Sequence, residues 1–283
     1  MITTETGTGV DRWEGMARDE FAAVPCQATA RRNRIVNAVI HTDDAPMRWF
    51  VRRGLRVLMY HKVSSAAEDE HTVSVARLER QLRWLHEEKF RFTTIESMLR
   101  GVLPDRPVLV TFDDAYVDAF ELARPVLRAL GVPAAVFVPT AFIGQTSSWD
   151  RDARPLMDAS QLRTLAADGF ELALHSHRHE NYAGLTAAQV TADVREGFSR
   201  LQQLGLTSMP ALAYPYGGRP RGAVARSAMQ AALRECGVTL AFRVGNRVNG
   251  LPLADPLEIQ RLSVRGDESF GAFQRKVAWG KLP

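Results

Sequence analysis

The apolar residues follow two alternating patterns from residue 55 onward. Short, nearly continuous apolar runs are typical of buried strands, whereas longer segments with apolar residues every three or four positions are typical of helices. Predicted strands cover residues 55–60, 108–112, 134–138, 170–174, 211–214, 238–242 and 259–262. Predicted helices cover residues 75–88, 116–130, 160–167, 186–204, 221–237 and 269–277. This alternation predicts an α/β fold with a parallel sheet that is either doubly wound or closed into a barrel.

The first 54 residues have a different character. They are polar, only weakly periodic and rich in arginine, with clusters around Arg31 and Arg52. We therefore predict an N-terminal extension over residues 1–54 and one folded domain over residues 55–283. The extension is expected either to contact an anionic membrane surface or a partner subunit, or to be a passive tail.

Composition narrows the class of protein. The chain has 283 residues, of which 46% are hydrophobic and 24% charged, as in ordinary soluble proteins. A net charge of +4 is too small to predict a nucleic-acid partner. Cys26 and Cys236 lie too far apart in the sequence to suggest a disulfide framework. No segment has the pattern of a signal peptide or a membrane-spanning helix, so we expect a cytoplasmic protein. The sequence predicts no particular oligomeric state.

Two adjacent carboxylates end the most apolar predicted strand. Asp113 and Asp114 follow the run at residues 108–112. The carboxyl ends of parallel strands are where α/β folds build their active sites. Successive side chains of a strand point to opposite faces, so one carboxylate can bind a metal ion while the other reaches a water on that ion. A second carboxylate in that position can serve as the base.

Two histidines follow another apolar run. His175 and His179 come after residues 170–174, and their spacing of four places both rings on one side of a compact turn. Two His and one Asp leave coordination positions open for water and substrate, which is typical of a catalytic metal site. The expected cofactor is a divalent cation, with Zn²⁺ the first expectation and Co²⁺, Ni²⁺ or Mn²⁺ as alternatives.

Over about residues 57–273 the chain resembles the metal-dependent polysaccharide deacetylases, known as carbohydrate esterase family 4. Residues 111–114 (Thr-Phe-Asp-Asp) match the first family motif, and residues 175–179 (His-Ser-His-Arg-His) match the second. The resemblance implies a distorted (β/α)7 barrel with mostly parallel strands. It also implies that Asp113 is the catalytic base. The implied metal ligands are Asp114, His175 and His179.

A third segment adds residues that contact substrate. Residues 213–217 (Ala-Tyr-Pro-Tyr-Gly) are similar to the motif that forms one wall of the family's groove. By this resemblance the backbone N–H of Tyr216 donates to the oxyanion, in keeping with the need for fixed donors where negative charge develops. The residues expected to bind substrate are Tyr214, Pro215, Trp149 and Arg261.

The chain also departs from the family pattern. Ala213 stands where many members have an arginine that holds the base, and Ala115 stands where glycine is usual, which predicts a narrower groove. No histidine lies near Leu262, where the family has its general acid. His61 ends the predicted strand at residues 55–60 and is the expected substitute, because a histidine can protonate a leaving amine near neutral pH.

The activity implied by the resemblance is hydrolysis. The expected enzyme removes the N-acetyl group from an amino sugar, either in an N-acetylglucosamine-type glycan or in a lipid-linked saccharide. The site addresses only the acyl group, so a deformylase or O-deacetylase on a related small glycan is an alternative. Another alternative is a carbohydrate-binding module that has lost catalysis.

Overall fold

The structure, a computed structural model, describes residues 53–280. Within them, strands and helices alternate along the chain. The strands are β1 (Arg56–Tyr60), β2 (Lys62–Ser64), β3 (Thr72–Ser74), β4 (Arg91–Phe92), β5 (Pro107–Phe112), β6 (Ala134–Val138), β7 (Glu171–Leu174), β8 (Ala211–Ala213), β9 (Leu240–Val244) and β10 (Ile259–Ser263). The α-helices are α1 (Val75–Glu87), α2 (Ile95–Leu99), α3 (Arg124–Ala129), α4 (Ala159–Ala167), α5 (Ala187–Gln203), α6 (Ala223–Glu235) and α7 (Phe270–Trp279).

Seven parallel strands form a closed barrel. Their order is β1-β10-β9-β8-β7-β6-β5, and β5 pairs again with β1 to close the ring. The predicted (β/α)7 barrel is therefore confirmed, and the doubly wound alternative is wrong. Strand β4 pairs with the beginning of β5, and β2 and β3 form a separate two-stranded sheet.

Alternation along the strands divides the core into two layers. Side chains such as Val57, Leu109 and Phe137 form one buried cluster that fills the barrel. Their neighbours Val108 and Val110 belong to a second, larger cluster between the barrel and the surrounding helices. Because both faces of β5 are buried, its sequence is a continuous apolar run rather than an alternating one.

The helices begin at residues that cap them. Ser74 accepts a hydrogen bond from the N–H of Arg77, and Asp158 and Thr186 each form a capping box. The predicted helix at residues 116–130 is broken, since a π-helical turn (Ala119–Ala123) precedes α3. Pro125 explains this break, because it lacks an N–H and its ring crowds the preceding turn. The elements β2, β3, β4 and α2 were not predicted, since runs of two to five residues carry little periodicity.

Apart from Arg53 and Gly54, the predicted N-terminal extension lies outside the described residues. Its expected contact with a membrane or partner therefore stays a prediction. Among residues 53–280, no helix combines the length and the apolar character that crossing a membrane requires.

The barrel places the residues of interest on one face. His61 follows β1, Asp113 follows β5 and His175 follows β7, while Arg261 lies within β10. Because these strands are parallel members of one closed ring, their carboxyl ends lie at the same end of the barrel.

Candidate active site

A cavity of about 490 Å³ opens at the carboxyl ends of the barrel strands. This volume lies within the range of about 300–1,000 Å³ that is usual for small-molecule sites. The cavity brings together all the residues predicted to be catalytic or metal-binding. They are His61, Asp113, Asp114, His175, His179 and Tyr216.

Asp113 is held by a buried arginine. The two terminal nitrogens of Arg261 donate to the two carboxylate oxygens of Asp113, at 2.5 and 2.7 Å. Arg261 is 0% and Asp113 2% exposed. Burial alone would raise the pKa of Asp113, but the neighbouring charges, above all that of Arg261, outweigh it and hold the pKa below its usual value. Asp113 is therefore ionised at neutral pH, as a base must be.

The pairing with Arg261 also shows which residue holds Asp113 in a chain that has Ala213 instead of the expected arginine. The position at which the resemblance predicted an arginine is Ala213, and an arginine from another strand, Arg261 of β10, pairs with Asp113. Arg261 was expected to bind substrate. The structure instead places its side chain, fully buried, against Asp113.

Three buried side chains converge beside Asp113. The Oδ1 atom of Asp114 lies 3.1 Å from Nε2 of His179 and 3.4 Å from Nε2 of His175. One ligand atom from each of the three residues lies within 4.8 Å of the other two. All three residues are buried, which restricts access to the cavity side.

The chemistry of these three side chains fits a divalent cation. Within residues 53–280, the buried Oδ1 of Asp114 has no hydrogen-bond partner, and a buried, unpartnered carboxylate oxygen is costly unless a cation binds it. Burial lowers the pKa of His175 to about 4, so its ring is neutral at pH 7. Nδ1 of His175 lies 2.9 Å from the carbonyl oxygen of Ala213, which favours the tautomer that leaves Nε2 free to bind a metal. Two imidazoles and one carboxylate suit Zn²⁺ and related ions.

His61 also lies close to Asp113. Its Nε2 is 3.8 Å from Oδ2 of Asp113, and its ring lies 5.2 Å from that of His71. Burial lowers the pKa of His61 although the charge of Asp113 opposes this effect. The imidazole is therefore neutral at rest, and it can act as an acid only after it has taken up a proton.

Backbone strain is concentrated at this site. Among residues 53–280, eight non-glycine residues have a positive φ, and five of them lie within the three motif segments or directly after one of them. Such conformations cost on the order of 1–3 kcal/mol each and persist only where the surrounding structure imposes them. The five are Asp114, Ala115, Ser176, His179 and Tyr216.

Ala115 shows why glycine suits its position. Its φ of 55° lies in the left-handed region that glycine adopts without strain. The methyl group is 2% exposed and packs in the outer core cluster. It does not line the cavity, so the expectation of a narrower groove is wrong.

The residues predicted to bind substrate are not all placed to do so. Tyr214 borders the cavity but is 0% exposed, and its hydroxyl already donates to the carbonyl oxygen of Leu257. Pro215 is also buried. Tyr216 is 60% exposed at the cavity rim. Trp149 lines the cavity, and one of its faces stacks on the imidazole of His179 with 3.9 Å between ring centroids.

No role was predicted for two further residues of the cavity, Tyr116 and Lys62, which meet Asp150 next to Trp149. Tyr116, Lys62 and Asp150 form a hydrogen-bonded group beside Trp149. Two signals were available, because Tyr116 follows the paired carboxylates by two positions and Lys62 follows His61 directly. Neither signal says that the two side chains meet.

Comparison with known families assigns the chain to a class of protein. The family model for polysaccharide deacetylases matches residues 100–241. The chain belongs to the polysaccharide deacetylase family.

Individual relatives are distant. The YxkH protein of Bacillus subtilis (strain 168) is 27% identical over 168 residues, which are 58% of this chain and 57% of that protein. The chain thus spans less than two thirds of that relative. The poly-beta-1,6-N-acetyl-D-glucosamine N-deacetylase of Staphylococcus aureus (strain MSSA476) is 25% identical over 218 residues, covering 67% of this chain and 73% of that protein.

Solved structures share the fold. IcaB from Ammonifex degensii has a TM-score of 0.67 at 24% identity, and the match covers 81% of this chain and 97% of that one. The Streptococcus pyogenes deacetylase PplD has a TM-score of 0.65 at 18% identity, with 80% and 99% covered. At these identities the likeness establishes the barrel and leaves the substrate to be argued from the site.

Proposed function

We propose that the protein is a metal-dependent N-deacetylase that hydrolyses the acetamido group of an N-acetylglucosamine-type glycan or a lipid-linked amino sugar. One observation carries the proposal. The metal-ligand set Asp114, His175 and His179 lies directly beside an ionised carboxylate, Asp113, at the inner end of an open cavity. The names of the relatives support the choice of an amino sugar, since the Staphylococcus aureus relative is a poly-N-acetylglucosamine deacetylase.

The three ligands and the base have separate roles. Asp114, His175 and His179 would hold a divalent cation, which when bound would supply the Lewis acidity that makes water more acidic and polarises a carbonyl oxygen. Asp113 takes the proton from the attacking water. Its two hydrogen bonds to Arg261 keep the carboxylate ionised and fix its orientation.

The leaving nitrogen needs a proton, and His61 is placed to deliver one. It is neutral at rest, so it first receives a proton, and the nearest group that gains one in the reaction is Asp113 at 3.8 Å. We assign the two residues to a base-then-acid sequence in which the proton from water reaches the departing amine through His61. The products are acetate and a free amino sugar.

The developing oxyanion requires a fixed donor. We assign this role to the backbone N–H of Tyr216, whose left-handed conformation (φ 58°) is set by the turn at Pro215–Gly217. The exposed ring of Tyr216 lies 4.8 Å from that of His179 and forms part of the cavity rim against which a pyranose can pack.

The test is acetate release by chelator-stripped protein that is resupplied with single metals. Suitable substrates are β-1,4- and β-1,6-linked N-acetylglucosamine oligomers. Asp113→Asn is isosteric and is expected to lower kcat by about 10²–10⁴-fold. Asp118→Asn is the control, because Asp118 is a half-buried acid that does not line the cavity and that accepts a hydrogen bond from the N–H of Val63. It should retain activity.

The outcomes separate the parts of the proposal. The proposal would be supported if added metal restored acetate release in the wild type and in Asp118→Asn but not in Asp113→Asn. Release that is unaffected by metal removal would contradict the role of the three ligands. Tight metal binding without release from any oligomer would contradict the assigned substrate.

A further inference from the structure

The two histidine ligands are held in different ways. Nδ1 of His175 is fixed by the carbonyl oxygen of Ala213. Nδ1 of His179 is buried and, in the part of the chain that the structure describes, has no hydrogen-bond partner. Metal-binding histidines almost always donate their second N–H to another group, which fixes the plane of the ring. Something else must orient His179.

Aromatic rings surround His179. Trp149 stacks on the imidazole with a centroid distance of 3.9 Å and an angle of 26° between the planes. Tyr216 approaches at 4.8 Å and 62°. Phe142 packs edge-on against the indole at 5.0 Å. Of these rings, Trp149 alone lies nearly parallel to His179, so rotation of the imidazole would drive it into the indole face.

Hydrogen bonds hold the indole in turn. Nε1–H of Trp149 donates to the hydroxyl of Tyr116 at 3.2 Å, and that hydroxyl donates to Oδ2 of Asp150 at 2.6 Å. Asp150 also accepts from Ser147 at 2.7 Å and from Lys62 at 3.3 Å. Because Tyr116 is only 2% exposed, its hydroxyl is confined to this arrangement. A chain of polar contacts thus ends at the ring that covers His179.

We propose that Trp149 is a positioning residue for the metal site. It sets the plane of the His179 imidazole in place of the missing hydrogen bond at Nδ1, and Tyr116 and Asp150 anchor it. The inference rests on the proposed function, since it takes His179 to be a metal ligand. It also changes the expected role of Trp149, because the face that stacks on His179 is closed to a sugar ring.

The experiment measures Co²⁺ affinity by competition with a chelator, in the absence of any glycan, together with the visible spectrum of the bound ion. Trp149→Leu removes the stacked ring and is expected to weaken binding by about 10–100-fold, the usual effect of losing an outer-sphere partner. Its Co²⁺ spectrum should also change. Trp149→Phe restores a flat ring and should recover most of the affinity. Tyr116→Phe frees the indole and should fall between Trp149→Leu and the wild type.

Tyr60→Phe is the matched control. It also deletes a buried hydroxyl, which donates to Gln81 at 2.9 Å in the outer core and does not bond to the indole. Its Co²⁺ affinity and spectrum should equal those of the wild type. If Trp149→Leu bound Co²⁺ as tightly as the wild type with the same spectrum, the positioning role would be overturned while the deacetylase proposal stood. If the wild type bound no Co²⁺, the metal-dependent function itself would fail, and the inference with it.

Discussion

Replacing Arg261 by methionine should destabilise the protein far more than an ordinary surface change. Methionine keeps most of the length and the packing near Phe137, over whose ring the guanidinium lies at 5.4 Å. It removes the partner of both oxygens of Asp113. What remains is a carboxylate that is 2% exposed and lies beside Asp114 without its compensating cation.

The size of the effect follows from this geometry. Breaking a buried ion pair by removing one partner costs about 3–5 kcal/mol, because the remaining charge is neither solvated nor paired. Two charge-assisted hydrogen bonds at about 1.5–3 kcal/mol each give a similar total. Since domains of this kind are stable by only about 5–15 kcal/mol, Arg261→Met should lose a large part of its stability.

The loss of folding stability in Arg261→Met should depend on pH. Without Arg261, the buried carboxyl of Asp113 has a folded-state pKa above its unfolded value of about 3.9. An acid whose pKa rises on folding binds more protons in the folded state, so stability falls as pH rises between the two values. The deficit of Arg261→Met relative to the wild type should therefore be smaller at pH 5 than at pH 8.

The assay is urea denaturation of metal-free protein in a double-mutant cycle. Asp113→Asn removes the charge, so the double variant Asp113→Asn/Arg261→Met should be much more stable than Arg261→Met alone. A coupling energy within about 0.5 kcal/mol of zero is what independent sites show, and that result would refute the reasoning. A deficit that does not change between pH 5 and pH 8 would refute it as well.

Three further predictions concern other parts of the structure. Burial raises the pKa of Asp118 to about 6. The free energy of unfolding of the wild type should therefore decrease as the pH is raised from about 4 to about 6. Asp118→Asn should be more stable by about 1–2 kcal/mol at pH 8, allowing for partial exposure, and no more stable at pH 4 in urea denaturation. Gly217 has a φ of 65° and its added Cβ would lie 3.0 Å from Val244, so Gly217→Ala should lose about 1–3 kcal/mol. Gly184→Ala, with no atom within 4 Å of its Cβ, is the control and should change little. Adding Zn²⁺ to stripped protein at 100 times its Kd should stabilise it by about 2.7 kcal/mol in thermal melts, and Asp114→Asn should abolish the rise in Tm.

The grouping of the proposed metal ligands and the proposed base could be predicted because their signals are local. Asp113 and Asp114 are adjacent at the end of one apolar strand, and His175 and His179 share one turn after another. The carboxyl ends of parallel strands all lie at the same edge of the sheet. Residues that follow a strand are therefore found at that edge, and the order of the strands does not change this. The alternation of strand and helix predicted a parallel α/β sheet in the same way, but it left the doubly wound arrangement open, and the closed barrel was implied by the family resemblance.

The partner of the base could not be predicted in that way. Arg261 meets Asp113 only because the ring places β1 between β5 and β10, and no pattern within β10 specifies that neighbour. The burial of Tyr214, by contrast, could have been predicted from the sequence. Strand alternation puts it opposite Ala213, which faces the barrel interior. The stacking of Trp149 on His179 depends on the conformation of a long loop, about which residue spacing says nothing.

The separation of Asp113 and Arg261 by 148 positions has a consequence for synthesis. A ribosome releases the two carboxylates and both histidines before it makes β10, the strand that carries the arginine. Until that strand inserts beside β1, the ring is open and the base lacks its cation. We therefore expect the proposed activity to require β10, and a truncation that removes this strand to abolish it.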